Sequence, residues 1–339
     1  MHDTETTTTP GRTSGGPAEP GTPPRRRRRR WLSWTVAVLL ALWAVLRVFG
    51  LETGSFLTQL MTLTPYAVAA GGLTALLLAV RRSWKQAALA LAAALALAAT
   101  VVPRTVAGGE AAAGGQELRV LAINMFGRAD ASAIVELVRR HRPHVLSALE
   151  LTPAQVERLD AAGLGTLMPH RVLEPEFSAS GSGLYATLPL TKLDGLFTPI
   201  GHHMPAAALT LPGGARVEVV AVHPNPPLGR MTAEWNASLD ALPPAAGDDR
   251  IRVLAGDFNA SLDHRAFRDL LGRGYLDAAE QAGKGLVPTW PNARRVPPII
   301  TIDHVLADRR ASVAGVEILD VPGTDHRGVY ADLRLPATG

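Results

Sequence analysis

Three apolar stretches in the first third of the chain constrain its fold more than any other feature. Trp31–Leu46, Phe56–Val80 and Gln86–Val102 contain no charged side chain. A hydrocarbon core about 30 Å thick takes roughly 17–25 helical residues to cross. The second stretch meets that length easily, the first must extend past Arg47, and the third is short. A mean hydropathy of +0.12, with 47% hydrophobic but only 5% aromatic residues, is too apolar for an ordinary soluble protein. The expectation is therefore a helical membrane region of three transmembrane helices over residues 31–102. Two alternatives stand beside it. The first stretch could be a cleaved signal, with Arg29-Arg30-Trp31-Leu32 as a twin-arginine hint. The third could be a buried helix, although nothing amphipathic marks a solvent face on it.

Charge gives an orientation. Residues 1–24 are rich in Thr, Pro and Gly, a composition that cannot offset the entropy of ordering. With Arg25–Arg30 they make a disordered basic tail over 1–30. Positive residues beside spans stay cytoplasmic. The Arg25–Arg30 run precedes the first span, and Arg81, Arg82 and Lys85 lie between the second and third. The N-terminus is then cytoplasmic, the Leu51–Ser55 loop external, and everything after Val102 extracytoplasmic in a multi-pass protein of the cell membrane. The overall charge of +4 is no sign of nucleic acid, because it is unevenly distributed. Residues 1–100 hold 11 Lys/Arg against 4 Asp/Glu, a net +7, which leaves 23 against 26, a net −3, for the rest. Residues 103–117 turn to Gly, Ala and a few charges and read as a linker. About 14 flexible residues span on the order of 20 Å.

From Leu118 onward, short β-type runs alternate with helical stretches. Strands are expected at Leu118–Asn124, Val145–Glu150, Leu184–Thr187, Ala206–Leu211, Val217–His223, Arg252–Phe258, Thr301–Ala307, Val313–Leu319 and Gly328–Leu335. Helices are expected at Ala131–Arg142, Pro153–Ala162, Arg230–Leu242 and His264–Leu271, with Asp130 and Thr152 as N-caps. This is the α/β class, with helices outside packed sheets. The absence of Cys excludes thiolate chemistry, so any reaction falls to carboxylates, amides, hydroxyls and His.

The strands carry polar residues at their ends: Asn124, Glu150, His223, Asp257 with Asn259, Asp303, and Asp325-His326 before the last strand. Each alone has a bland reading as a turn former or a helix opener. Together they suit a hard divalent cation beside a phosphate, since Mg²⁺ or Mn²⁺ takes carboxylate and amide oxygens and keeps several waters. Glu150 with Asn124 makes such a minimal cage. His202-His203 looks metal-like, but adjacent side chains on a strand point apart, so a loop pair is the expectation.

The ordered series Ile123-Asn124, Leu149-Glu150, Val222-His223, Gly256-Asp257-Phe258-Asn259, Ile302-Asp303-His304 and Thr324-Asp325-His326 resembles the endonuclease/exonuclease/phosphatase superfamily over about residues 117–335. The resemblance implies a four-layer α/β/β/α sandwich, two packed sheets flanked by helices, that cleaves phosphoester bonds with a divalent metal. It implies a catalytic set in which Asp257 is the base orienting water and Asn259 donates to a phosphate oxygen. His326 contacts the phosphate, oriented by Asp303, and His223 is either the acid for the leaving oxygen or a phosphate ligand. The metal set is Asn124 and Glu150, with Asp325 sharing the ion or reaching it through water. Trp290 in Pro288-Thr289-Trp290-Pro291 resembles the family's aromatic pocket wall, with an ordinary packed indole as the alternative. A second Glu to pair with His223 has no clear counterpart, as Glu174 and Glu176 lie in a Pro-broken loop, and His304 stands where relatives often carry Arg or Tyr.

Three spans before such a domain also resemble the teicoplanin-resistance membrane proteins of actinobacteria. The expected function is thus a membrane-anchored, outward-facing phosphoesterase or pyrophosphatase using Mg²⁺ or Mn²⁺, with the lipid bilayer and a phosphate-containing, lipid-linked envelope substrate as partners. An extracytoplasmic nuclease and a non-catalytic ligand-binding module are the alternatives. The net −3 of the domain disfavours the nuclease, because nucleic-acid affinity comes largely from counterion release.

Overall fold

The computed structural model describes residues 25–109, 115–293 and 296–336. The expected disordered stretch 1–24 and the pair Arg294-Arg295 lie outside the described residues. Helix α1 (Arg25–Phe49) begins within the arginine run, so the backbone of Arg25–Arg30 is helical rather than part of a tail. It is followed by α2 (Gly54–Met61), α3 (Thr64–Val80) and α4 (Trp84–Val101). Ala37, Ala44, Ala67, Ala75, Ala90 and Leu97 form the packed seam of this bundle, and small residues there let α1 and α3 approach α4 closely.

The span count differs from three. Among the described residues, two helical stretches are long and apolar enough to cross a membrane, Arg30–Phe49 and Trp84–Thr105. The expected second span is instead the pair α2 and α3, bent by 75°, which makes a third span only if the pair is taken as one. Pro65, in the first turn of α3, is the cause. Its ring has no N–H and clashes with the carbonyl a turn earlier, so a helix running through Met61 cannot continue across it.

The rest of the chain is the expected four-layer sandwich. One sheet has the order β11-β12-β1-β2-β4-β3, built from β1 (Gln116–Asn124), β2 (Val145–Leu149), β3 (His170–Glu174), β4 (Ser182–Ala186), β11 (Ser312–Asp320) and β12 (Arg327–Leu335). The other has the order β5-β6-β7-β8-β10-β9, from β5 (Thr191–Lys192), β6 (Ala206–Thr210), β7 (Arg216–Val222), β8 (Ile251–Asp257), β9 (Tyr275–Asp277) and β10 (Asp303–Asp308). Helices α5 (Ala131–His141), α6 (Pro153–Ala161) and α7 (Leu164–Leu167) lie over the first sheet. Over the second lie α8 (Met231–Ala241) and α9 (Arg265–Gly272), and α10 (Ala278–Gln281) abuts its β9–β10 end.

β1 reads as almost uninterrupted hydrophobe because both its faces are buried. Leu118, Val120 and Ala122 pack into the inter-sheet core with Val219, Ala221 and Val253, while Leu121 and Ile123 pack beneath α5 on Ile134 and Val138. Asp130 and Thr152 cap α5 and α6 as expected, accepting from Ser132 and Ala133 N–H and from Gln155 N–H respectively. The edge strands β3, β5 and β9 and the short helices α7 and α10 were not expected. Each is five residues or fewer, too short to show a period.

Topology places the site. β1 and β2 are parallel, joined through α5, and β7 and β8 are parallel, joined through α8. Their C-terminal ends meet at one edge of the sandwich. β10 and β12 run antiparallel to β8 and β1, so their first residues arrive at that same edge, with Asp303 opposite Asp257.

The helical bundle is seated on the sandwich. Arg47 at the end of α1 and Arg104 in the 3-10 turn Val102–Thr105 both grip Asp263, at 2.6 and 2.7 Å, with all three buried. His264 accepts from Ser261 N–H at Nδ1 (2.8 Å), which places its proton on Nε2 for donation to Thr58 O in α2 (2.8 Å). Gly108 N–H donates to Gln281 O, so this part of the expected linker is docked rather than free.

Candidate active site

All eight residues anticipated from the sequence converge where those strand ends meet. Asp257 is at the centre. Its Oδ1 accepts from Asn259 N–H (2.8 Å) and its Oδ2 from Asn124 Nδ2 (3.1 Å). Asn124 Nδ2 also donates to Glu150 Oε1 at 3.1 Å, and its oxygen accepts from Phe126 N–H. As placed, Asn124 is thus a donor bridging two carboxylates, and service as a metal ligand requires its amide turned about.

His326 Nδ1 lies 3.1 and 3.0 Å from the two Asp303 oxygens, while its Nε2 faces Asp257 Oδ2 at 3.8 Å and Asp325 Oδ1 at 4.0 Å. Thr289 Oγ1 accepts from the N–H groups of Ile302 and Asp303. Thr324 Oγ1 donates to Asn124 O and accepts from His326 N–H, tying the Asp325-His326 turn to the end of β1.

Local backbone reflects this demand. Phe126, Glu150 and Asn259 hold left-handed φ values of 48°, 49° and 47°, a strained choice for residues with a Cβ. Gly256 answers a different need. A Cβ there would stand 2.1 Å from Val222 O, so only glycine lets β7 and β8 pair up to the site.

Burial and like charge set the electrostatics. Burial raises the Glu150 carboxyl, and burial together with Asp303 raises that of Asp257. Burial works against the His326 cation, but Asp303 and Asp257 outweigh it and push the imidazole well up. His223 goes the other way, held neutral by burial and by the charges of His202 and His326.

Asp257, Asp303 and His326 bring ligand atoms within 4.8 Å of one another, a spacing that a metal ion could bridge. However, His326 is itself the cation of that group, locked onto Asp303, so the better cage is the carboxylate pair Glu150 and Asp325. There Asp325 Oδ1 is buried with no hydrogen-bond partner among the described residues, and burial with the charges of Asp325 and Asp303 raises Glu150 against the pull of His326. An orphaned carboxylate oxygen beside a second carboxylate fits a hard divalent ion.

His202 was not anticipated at the site. Its Nδ1 sits 3.2 Å from His223 Nδ1, so a ring rather than a second Glu partners His223, while His203 turns away to Glu174. The sequence signal was only an adjacent His pair in an irregular segment. Trp290 does stand at the pocket wall, donating from Nε1 to Asp325 Oδ2 at 3.2 Å. His304 does not touch Asp303. It points to the opposite face of β10, bound between Asp277 Oδ2 (2.6 Å) and Ala260 O (2.9 Å).

Glu150, His223, Asp257, Asn259, Asp325 and His326 form the polar floor of a cavity of about 940 Å³. Its opposite wall comes from α2 and the turn after it.

A family model described as "Endonuclease/Exonuclease/phosphatase family" matches residues 121–326, a span that contains all eight residues. Nothing among curated proteins matches. Among solved structures, an endonuclease/exonuclease/phosphatase from Beutenbergia cavernae is 20% identical with a TM-score of 0.52, covering 65% of this chain and 72% of that one. TDP2 of D. rerio, complexed with single-strand DNA product, is 16% identical with a TM-score of 0.49, covering 65% and 99%. The endonuclease/exonuclease/phosphatase from Bacteroides vulgatus is 16% identical with a TM-score of 0.49, covering 65% and 100%. At 20% identity the likeness to the Beutenbergia cavernae structure speaks to fold alone.

Proposed function

Because the chain belongs to the endonuclease/exonuclease/phosphatase family of metal-dependent phosphoesterases and nucleases, we propose that it is a membrane-anchored, outward-facing phosphoesterase or pyrophosphatase acting on a lipid-linked phosphate of the cell envelope. The observation that carries this reading is the shared edge at which Asp257, His326 held by Asp303, Glu150 and the unpartnered oxygen of Asp325 face one cavity. Mg²⁺ or Mn²⁺ bound by Glu150 and Asp325, with Asn124 turned to join them, would supply positive charge against the phosphate oxygens.

The side chains divide the remaining work. Asp257 is fixed at both oxygens by Asn124 and Asn259, and its raised pKa makes it basic enough to take a proton from an attacking water. The water oxygen bonds to phosphorus as the bond to the leaving oxygen breaks. His326, held cationic and oriented by Asp303, faces the charge that develops on the phosphate. Asn259 spends one amide hydrogen on Pro224 O and keeps the other for a phosphate oxygen. His223, being neutral, suits the role of phosphate ligand over that of acid. A leaving phosphate needs no protonation at neutral pH, which favours pyrophosphate over an alkyl ester.

Membrane anchoring is supported by the two long apolar helices. Orientation is supported by Arg81, Arg82 and Lys85, which cap the end of the bundle opposite the sandwich. Altered sensitivity to the glycopeptide teicoplanin is the cellular consequence attached to this reading. The test is phosphate release by the purified full-length chain with Mg²⁺ or Mn²⁺ from a lipid pyrophosphate, a phosphodiester and DNA. Preference for the lipid pyrophosphate is expected. Preference for DNA would replace it with the nuclease, and no turnover of any would leave a binding module.

A further inference from the structure

The cavity over the catalytic residues is not closed by the sandwich. Its far wall is Phe56, Leu60 and Leu63, opposed by Leu228 and Met231 from the segment leading into α8. Phe56 and Leu60, at i and i+4, share one face of α2, and Leu63 in the turn after α2 extends that apolar stripe. Among the described residues that stripe is left open: Phe56 is 74% and Leu63 37% exposed, and Leu228 on the facing wall 48%. An exposed apolar surface running into a polar site marks something to be bound.

We propose that this stripe is the binding groove for the apolar chain of the substrate, an amphiphile with a phosphate or pyrophosphate head and a long hydrocarbon tail. This rests on the lipid-linked reading above and says where the lipid goes. With the head on the floor beside Asp257 and His326, the tail follows Phe56, Leu60 and Leu63 in order. Leu63 immediately precedes Thr64, where the 17 uncharged residues of α3 begin, so the groove delivers the tail to the end of a helix packed in the apolar bundle. The 75° bend has a use in this arrangement, since a straight α2–α3 helix would have no segment turned beneath the cavity.

The groove is fixed in place by contacts unrelated to its apolar face. Ser55 Oγ donates to Pro227 O and accepts from Gly229 N–H, Thr58 O accepts from His264, and Tyr66 Oη donates to Ile299 O. The Arg47–Asp263–Arg104 clasp lies four residues beyond Asn259, on the loop that follows Asp257 at the end of β8. Chain groove and catalytic loop therefore share one support.

The experiment titrates alkylphosphonates of two, six and ten carbons, below their micellar concentrations, into the full-length chain in nanodiscs. It compares wild type with the double variant Phe56→Ser/Leu63→Gln and with Leu228→Ser on the facing wall. These side chains are exposed and the backbone bonds of Leu63 are untouched, so folding is not at stake. Wild type should bind the ten-carbon ligand about tenfold or more tighter than the two-carbon one, beyond partition into empty nanodiscs. Both variants should flatten that dependence while leaving two-carbon affinity within about twofold. A wild-type slope retained in the variants, or no slope in wild type, overturns the groove. The two readings separate in the outcome. Chain-dependent binding without hydrolysis of any phosphoester would sink the phosphoesterase and keep the groove, whereas hydrolysis indifferent to chain length would do the reverse.

Discussion

At Asp257, burial and the neighbouring Asp303 make the carboxylate a better base, and the hydrogen bonds from Asn124 and Asn259 aim it. Asp257→Asn keeps the shape and removes the base, so kcat should fall about 10²-fold or more with the fold intact by circular dichroism. Glu150→Ala and His326→Ala should cost as much by removing a proposed metal ligand and a fixed cation, measured as phosphate release at saturating Mg²⁺. These residues were legible in the sequence because each closes or opens an apolar strand run, where a polar side chain has no core role. His202 was not legible: it comes to His223 only through the folding of an irregular segment. Nor did the sequence show that Asn124 Nδ2, rather than its oxygen, faces the carboxylates, since an amide's orientation depends on Phe126 N–H and its other neighbours.

Elements fail or hold by their boundaries. The long helices and central strands were legible from period and capping, whereas the bend at Pro65 was masked by the continuous hydrophobicity on both sides of it. The α2 contact has a pH dependence of its own. His264 is fully buried, and its folded pKa is pushed down to about 4 by burial, against an ordinary 6.5. As pH falls the unfolded or detached chain takes up the proton first. The stability from this group is therefore complete above about 6.5 and lost progressively toward 4, on the order of 3 kcal/mol in all. Acidification from pH 7 to 4.5 should lower Tm, and His264→Gln should remove part of that dependence. Asp263→Ala leaves Arg47 and Arg104 buried without a countercharge and should cost about 3–5 kcal/mol, read by denaturant unfolding. Gly256→Ala should disrupt β7–β8 pairing, since its Cβ meets backbone at 2.1 Å, and cost about 3 kcal/mol or more.

Taken whole, the molecule sets the candidate active-site edge against an apolar bundle, a relation that composition foretold only as a tether of on the order of 20 Å. Long-range pairs such as Arg104 with Asp263 leave no trace in local sequence, which is why docking was not legible. The end of α4 and the start of α3 meet the sandwich; on the proposed orientation, with Arg81, Arg82 and Lys85 cytoplasmic, a periplasmic-type phosphatase reporter fused after Gly339 should be active in intact cells, and a cytoplasmic reporter at that point silent. The most direct trial of the proposed activity is turnover of a polyprenyl pyrophosphate by the full-length chain reconstituted in bilayers. The account predicts phosphate release that chelation abolishes, that Mg²⁺ or Mn²⁺ restores, and that Asp257→Asn reduces about 10²-fold. Release indifferent to Asp257→Asn, or cleavage of DNA outpacing the lipid, would contradict it.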